Sequence, residues 1–117
     1  MAETKVKMTT RMINGQTGVI HIVGEINAFA ENVLMDAYTQ ATSQGAHNIV
    51  LDFSDLDYMN SSGIGLLVTL LIRVNRQKQR LVACGLTDHY QQIFELTRLN
   101  EAITIFPTEA DALSALN

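Results

Sequence analysis

Apolar and polar residues alternate over Lys5 to Ile13, and an apolar run follows at Val19-Ile20-His21-Ile22-Val23, so two strands joined by the turn Asn14-Gly15-Gln16 are predicted. The period then changes. After Gly24-Glu25-Ile26, Asn27 stands where a helix cap belongs, and Ala30, Val33, Leu34, Ala37, Tyr38 and Ala41 recur at helical spacing up to Gly45, which suits a left-handed stop. Asn48 to Phe53 is apolar enough for a central strand. Beyond it the chain reads as a short acidic turn carrying Asp55 and Asp57, then as a helix over Ile64 to Arg76 that opens on Ser61 and Ser62. Leu81 to Gly85 is a further short strand, and Thr87 caps a helix with Tyr90, Ile93, Phe94 and Thr97 on one side. Ile103 to Phe106 is the last strand, before a terminal helix capped by Thr108 that carries Ala112, Leu113 and Leu116.

The predicted order β-β-α-β-α-β-α-β-α is that of an α/β domain, with a mixed, mostly parallel sheet and about four helices packed on it. Ligand sites in such sheets lie at the carboxyl ends of the strands, which is where the serine loop falls. Unpaired N–H groups and a partial positive charge at a helix N-terminus suit Ser61 and Ser62 either to capping or to an anionic modification. At about 100° per residue, Ile64, Leu67, Val68, Leu71 and Val74 form one face of the following helix and Thr69, Arg73, Arg76 and Gln77 the other. Leu66 falls among the polar residues. With Thr69 and Arg73 beside it, it is expected to anchor a partner, so that Leu66→Lys would break binding and leave folding intact.

Composition narrows the picture. A chain of 117 residues supports one domain over 1–117, and with 47% hydrophobic residues, 6% aromatic and no tryptophan its core is aliphatic. A formal charge of −4 argues against nucleic acid as a partner. Cys84 stands alone, which excludes an internal disulfide, suits a reducing cytoplasm and is most simply read as a core residue. No signal peptide or bilayer-spanning run is read, so neither export nor membrane insertion is expected, and Asn117 is taken as close to the end of the domain. Asp52 is expected to be buried near its strand end, with Asp55 and Asp57 solvated, rather than joined in a Mg2+ site. His21, His47 and His89 lie in separate elements. No metal, cofactor or catalytic group is assigned, and neither a nucleophile elbow nor a P-loop is present to make the chain a hydrolase.

Gly24-Glu25-Ile26-Asn27, Leu51-Asp52-Phe53-Ser54, Ser61-Ser62-Gly63-Ile64-Gly65 and Leu96-Thr97-Arg98-Leu99 together resemble the STAS family, named for sulfate transporters and anti-sigma factor antagonists. The likeness runs from the first strand to the terminal helix and is nearest to the stand-alone antagonists. It implies a cytoplasmic partner-switching protein that binds an anti-sigma factor/serine kinase when unphosphorylated. Phosphorylation of Ser61 would end the binding, and a phosphatase would restore it. Carried onto this chain, the resemblance places Asn27, Asp52, Asn60, Ser62 and Gly63 in the partner-facing loop. Asn27 and Asn60 stand where the family usually has aspartate: an amide cannot take a proton from the serine, yet it can still hold backbone N–H groups. Arg98 stands where glycine is common, which shifts the expected helix-ending turn to Asn100. The alternative function is a constitutive STAS scaffold or adaptor subunit of a signalling or membrane lipid-transport complex.

Overall fold

The computed structural model describes residues 5–116. Met1 to Thr4 and Asn117, the expected domain end, lie outside them. Among the described residues the elements are β1 (Val6–Ile13), β2 (Thr17–Ile26), α1 (Glu31–Ser43), β3 (Asn48–Met59), α2 (Ser61–Arg76), β4 (Arg80–Cys84), α3 (Asp88–Leu96), β5 (Thr104–Phe106) and α4 (Glu109–Leu116), with 3-10 turns at Ala28–Ala30 and Leu99–Glu101. The strands lie in sequence order across one sheet. β1 and β2 are antiparallel, and every later pair is parallel. This is the order and the mixed sheet expected from the sequence.

Three successive crossovers that step the same way across a sheet, each right-handed, put their helices on one face. Accordingly α1, α2 and α3 bury Leu34, Tyr38, Leu67, Leu70 and Phe94 against Ile20, Ile22, Ile49, Leu51 and Phe53. The other face, Val19, Val50, Val82 and Cys84, is covered by α4 through Ala112, Leu113 and Leu116. Local signals hold the connections. Asn14 and Gly15 take φ of 50° and 76° in the hairpin loop. Gly45, at φ 96°, ends α1 as expected: its N–H reaches the Thr42 carbonyl at 3.0 Å and that of Ala46 reaches Ala41 at 3.1 Å. Thr108 Oγ1 accepts from the Asp111 N–H at 3.2 Å, whereas Thr87 sits at the cap of α3 without a side-chain hydrogen bond.

Two expectations are corrected. The acidic turn is strand: β3 runs on to Met59 beside β2, through two register shifts between His21 and Val23 and between Gly24 and Glu25. Each shift adds a residue, so the inward positions become Phe53, Leu56 and Met59, while Asp55 and Asp57 face solvent. The strict alternation that marks a strand is thereby lost. The turn that ends α3 falls on Arg98, at φ 62°, not on Asn100; a side chain there costs about 1 kcal/mol that glycine would not.

Candidate functional site

Because β2 and β3 are parallel neighbours that end in register at Ile26 and Met59, the chain leaves the sheet twice at the same end, the carboxyl end of the strands. Each exit is an asparagine. Asn27 Oδ1 accepts from the Phe29 N–H at 2.9 Å and opens the 3-10 turn; Asn60 Oδ1 accepts from the Gly63 N–H at 2.9 Å and caps α2. The Asn60 N–H donates to the Ile26 carbonyl at 3.2 Å, which ties the two exits together. Both amides do backbone work for which no carboxylate is required.

The cap on α2 is therefore Asn60, not Ser61 or Ser62, and the helix begins three residues earlier than the pattern predicts. Ser61 and Ser62 are its first two residues, with exposed side chains that make no hydrogen bond to other described residues. Gly63 is buried and packs closely on the sheet: a Cβ there would lie 2.6 Å from the Ile26 carbonyl oxygen and 2.7 Å from Met59 Cγ. That close approach fixes how α2 is rotated on the sheet, and Leu66, Leu67, Leu70 and Val74 point inward with Gly63.

Leu66 is consequently a core residue, 9% exposed, and the expectation that it anchors a partner is overturned. The exposed large apolar residues of α2 are Val68 at 41% and Ile72 at 53%. Thr69 and Arg73 do face solvent, as expected; Thr69 Oγ1 donates to the Gly65 carbonyl at 3.2 Å, and Arg73 lines a cleft of about 180 Å3 with Tyr38, Arg76 and Gln77. The helix is apolar almost all round between Leu66 and Ile72, so its period alone cannot choose the buried side.

Asp52 does not belong to this loop and is not at a strand end. It is half-buried in mid-β3, opposite His21 and Cys84, on the face that α4 covers, and its carboxylate accepts from the Ser54 N–H at 3.0 Å. Arg11 pairs with Glu109 at the start of α4 on the same side. Burial pushes the Cys84 thiol up from its ordinary 9.0 to about 12, helped by the negative charges of Asp52 and Glu109. At pH 8 the folded thiol should hold on the order of a thousandfold less thiolate than the unfolded one, so alkylation by iodoacetamide should wait on unfolding. The same shift removes stability as pH rises above 9, since the unfolded thiol ionises first and the folded one only near 12; a urea midpoint that falls through this window checks it.

Sequence reasoning also missed two contacts. The Met59 N–H donates to the buried Tyr90 hydroxyl at 2.8 Å, which holds the end of β3 against α3, and His21 Nε2 meets Asp55 Oδ2 at 2.7 Å on the open part of the sheet. Neither pair has a local signature, because each joins elements distant in sequence. Among the described residues no cluster of His, Cys, Asp and Glu is placed to hold a metal ion, and no helix is long and apolar enough to cross a membrane.

The chain is similar to known proteins along most of its length. An anti-sigma-B factor antagonist of Staphylococcus aureus is 26% identical over 86 residues, 74% of this chain and 80% of that protein. Bacillus SpoIIAA, an anti-sigma factor antagonist, has the same fold in its unphosphorylated form, with a TM-score of 0.73 at 22% identity over 93% of this chain and 96% of that one. Its phosphorylated form matches equally, at a TM-score of 0.73 and 21% identity over 94% and 99%. Residues 8–112 match the family model of the STAS domain, and the chain belongs to that family.

Proposed function

We propose that this domain is an anti-sigma factor antagonist that works by partner switching in the cytoplasm. Unphosphorylated, it binds an anti-sigma factor that is also a serine kinase; phosphorylation of Ser61 ends the binding, and a phosphatase resets it. The observation that carries this reading is that Asn60 occupies the cap of α2, which leaves the exposed Ser61 hydroxyl at the first helical position without a structural task. The names of its relatives agree, and SpoIIAA is a protein whose structure is known in a phosphorylated form.

A phosphate on Ser61 adds about −1.5 to −2 charges. At a helix N-terminus the partial positive charge accepts it, so the domain stays folded. A partner surface that closes over the same spot meets a new charge and new bulk, and binding fails. The Asn27 and Asn60 amides suit this scheme because the loop is shaped by hydrogen bonds to backbone N–H groups, and the kinase then supplies the base that removes the serine proton.

Ser61→Asp tests the reading. The variant should melt within about 2 °C of wild type, or slightly above it, because aspartate in the first turn favours a helix. Its affinity for the anti-sigma factor that wild type retains on a column should fall about tenfold or more. Unchanged affinity in a folded variant would sink the switch.

A further inference from the structure

We propose that the whole outer side of α2, from Ser61 to Arg76, is one docking track, and that it takes an acidic amphipathic segment of the partner protein; this rests on the partner-switching reading and extends it beyond the loop. Ser61, Gly65, Val68, Ile72 and Arg76 recur at the helical interval and are all exposed, so they form a solvent-facing stripe about 22 Å long. Its middle is apolar, with Val68 and Ile72 at 41% and 53% exposure, and Gly65 has open space where a side chain would stand.

The far end of the stripe is positively charged. From Tyr58 to Thr87 the sequence holds Arg73, Arg76, Lys78 and Arg80, half of the chain's eight Lys and Arg residues, and none of its twelve Asp and Glu. Arg11 and Arg98 are paired with carboxylates, whereas Arg73 and Arg76, one turn apart at the mouth of the cleft over Tyr38, have no acidic partner among the described residues. An acidic chain with two adjacent unpaired guanidinium groups beside an exposed valine and isoleucine complements a segment of opposite charge whose apolar residues cover that pair. Arginine at such a rim steers association and fixes register, while the apolar centre supplies the buried area. The same charges disfavour a second copy of the chain, because a parallel two-fold contact sets basic end against basic end and an antiparallel one sets each basic end against the partial positive charge of the helix N-terminus.

The test places a photoreactive benzoylphenylalanine at Ile72 of the full chain, expressed in the cell of origin, with the same probe at Val68 as a second site and at Phe29 beside the start of α2. Irradiation should give an Ile72 or Val68 adduct whose cross-linked peptide, read by mass spectrometry, carries Asp or Glu around apolar residues. The adduct should fall about tenfold or more in Arg73→Glu/Arg76→Glu and persist in Arg73→Lys/Arg76→Lys. The track is overturned by no adduct at either position, by an adduct with a second copy, by a peptide without acidic residues, or by indifference to charge reversal. An Ile72 adduct that survives Ser61→Asp keeps the track and rejects the Ser61 switch. A Phe29 adduct abolished by Ser61→Asp, with none at Ile72 or Val68, keeps the switch and rejects the track.

Discussion

Gly63→Ala should lower stability by about 2 kcal/mol, although alanine is the better helix former by about 1 kcal/mol. The sign depends on what the new methyl meets. Met59 Cγ, at 2.7 Å, belongs to a flexible side chain that can yield, but the Ile26 carbonyl oxygen, at 2.6 Å, is backbone at the end of β2. That carbonyl also accepts the Asn60 N–H, so moving it disturbs the tie between the two asparagine exits. The N-terminus of α2 must lift from the sheet, and Ser61 and Ser62 move with it. Thermal denaturation should show a midpoint lower by about 8 °C, and partner affinity should fall even though no contact residue has changed. A midpoint raised by the alanine would mean that α2 does not press on β2, and the rotation of the whole helix would need to be redrawn.

This pinning is where reading the sequence reaches its limit. The element order, the hairpin at Asn14 and Gly15, the stop at Gly45 and the Thr108 cap are legible because each has a local cause within a few residues. The course of β3 beyond Phe53 is not, since its bulges arise from register with β2 and place Asp55 and Asp57 at positions that look like loop. The rotation of α2 is not legible either. Its surface is apolar nearly all round, and the choice of buried side is made by a close contact between Gly63 and residues of β2 and β3. Arg98 shows the same limit from the other direction: a left-handed position normally announced by glycine is taken by an arginine, whose N–H reaches the Glu95 carbonyl at 3.2 Å.

The candidate site divides along that line. Ser61, Thr69 and Arg73 are placed on the surface as the sequence implies, since polar residues at a helix start and along a helix flank seldom turn inward. Asp52 and Leu66 are misplaced, one to the opposite sheet face and one to the core. Asn27 and Asn60 acquire a plain physical role: amides can hold the Phe29 and Gly63 N–H groups without the charge that a carboxylate would set beside Ser61. A phosphate at Ser61 is then spared the charge of a carboxylate at position 27 or 60.

Leu66→Lys separates the two assignments of α2 most sharply. With Leu66 at 9% exposure among Leu67, Leu70 and the inner face of the sheet, a lysine must either bury its ammonium group or thread it out past its neighbours. The loss of leucine packing, with partial escape of the charge, should cost about 3 kcal/mol, against less than about 0.5 kcal/mol for Val68→Lys on the outer side. Urea unfolding read by far-UV circular dichroism should put the Leu66→Lys midpoint far below wild type and leave that of Val68→Lys close to it. Partner affinity should follow the reverse logic. Val68→Lys keeps its fold and loses binding, because the charge lands in the apolar middle of the outer stripe, whereas any binding lost by Leu66→Lys follows from the loosened helix. A Leu66→Lys protein with wild-type stability would instead place that residue outside the core, and α2 would have to turn by about 100° to put it there.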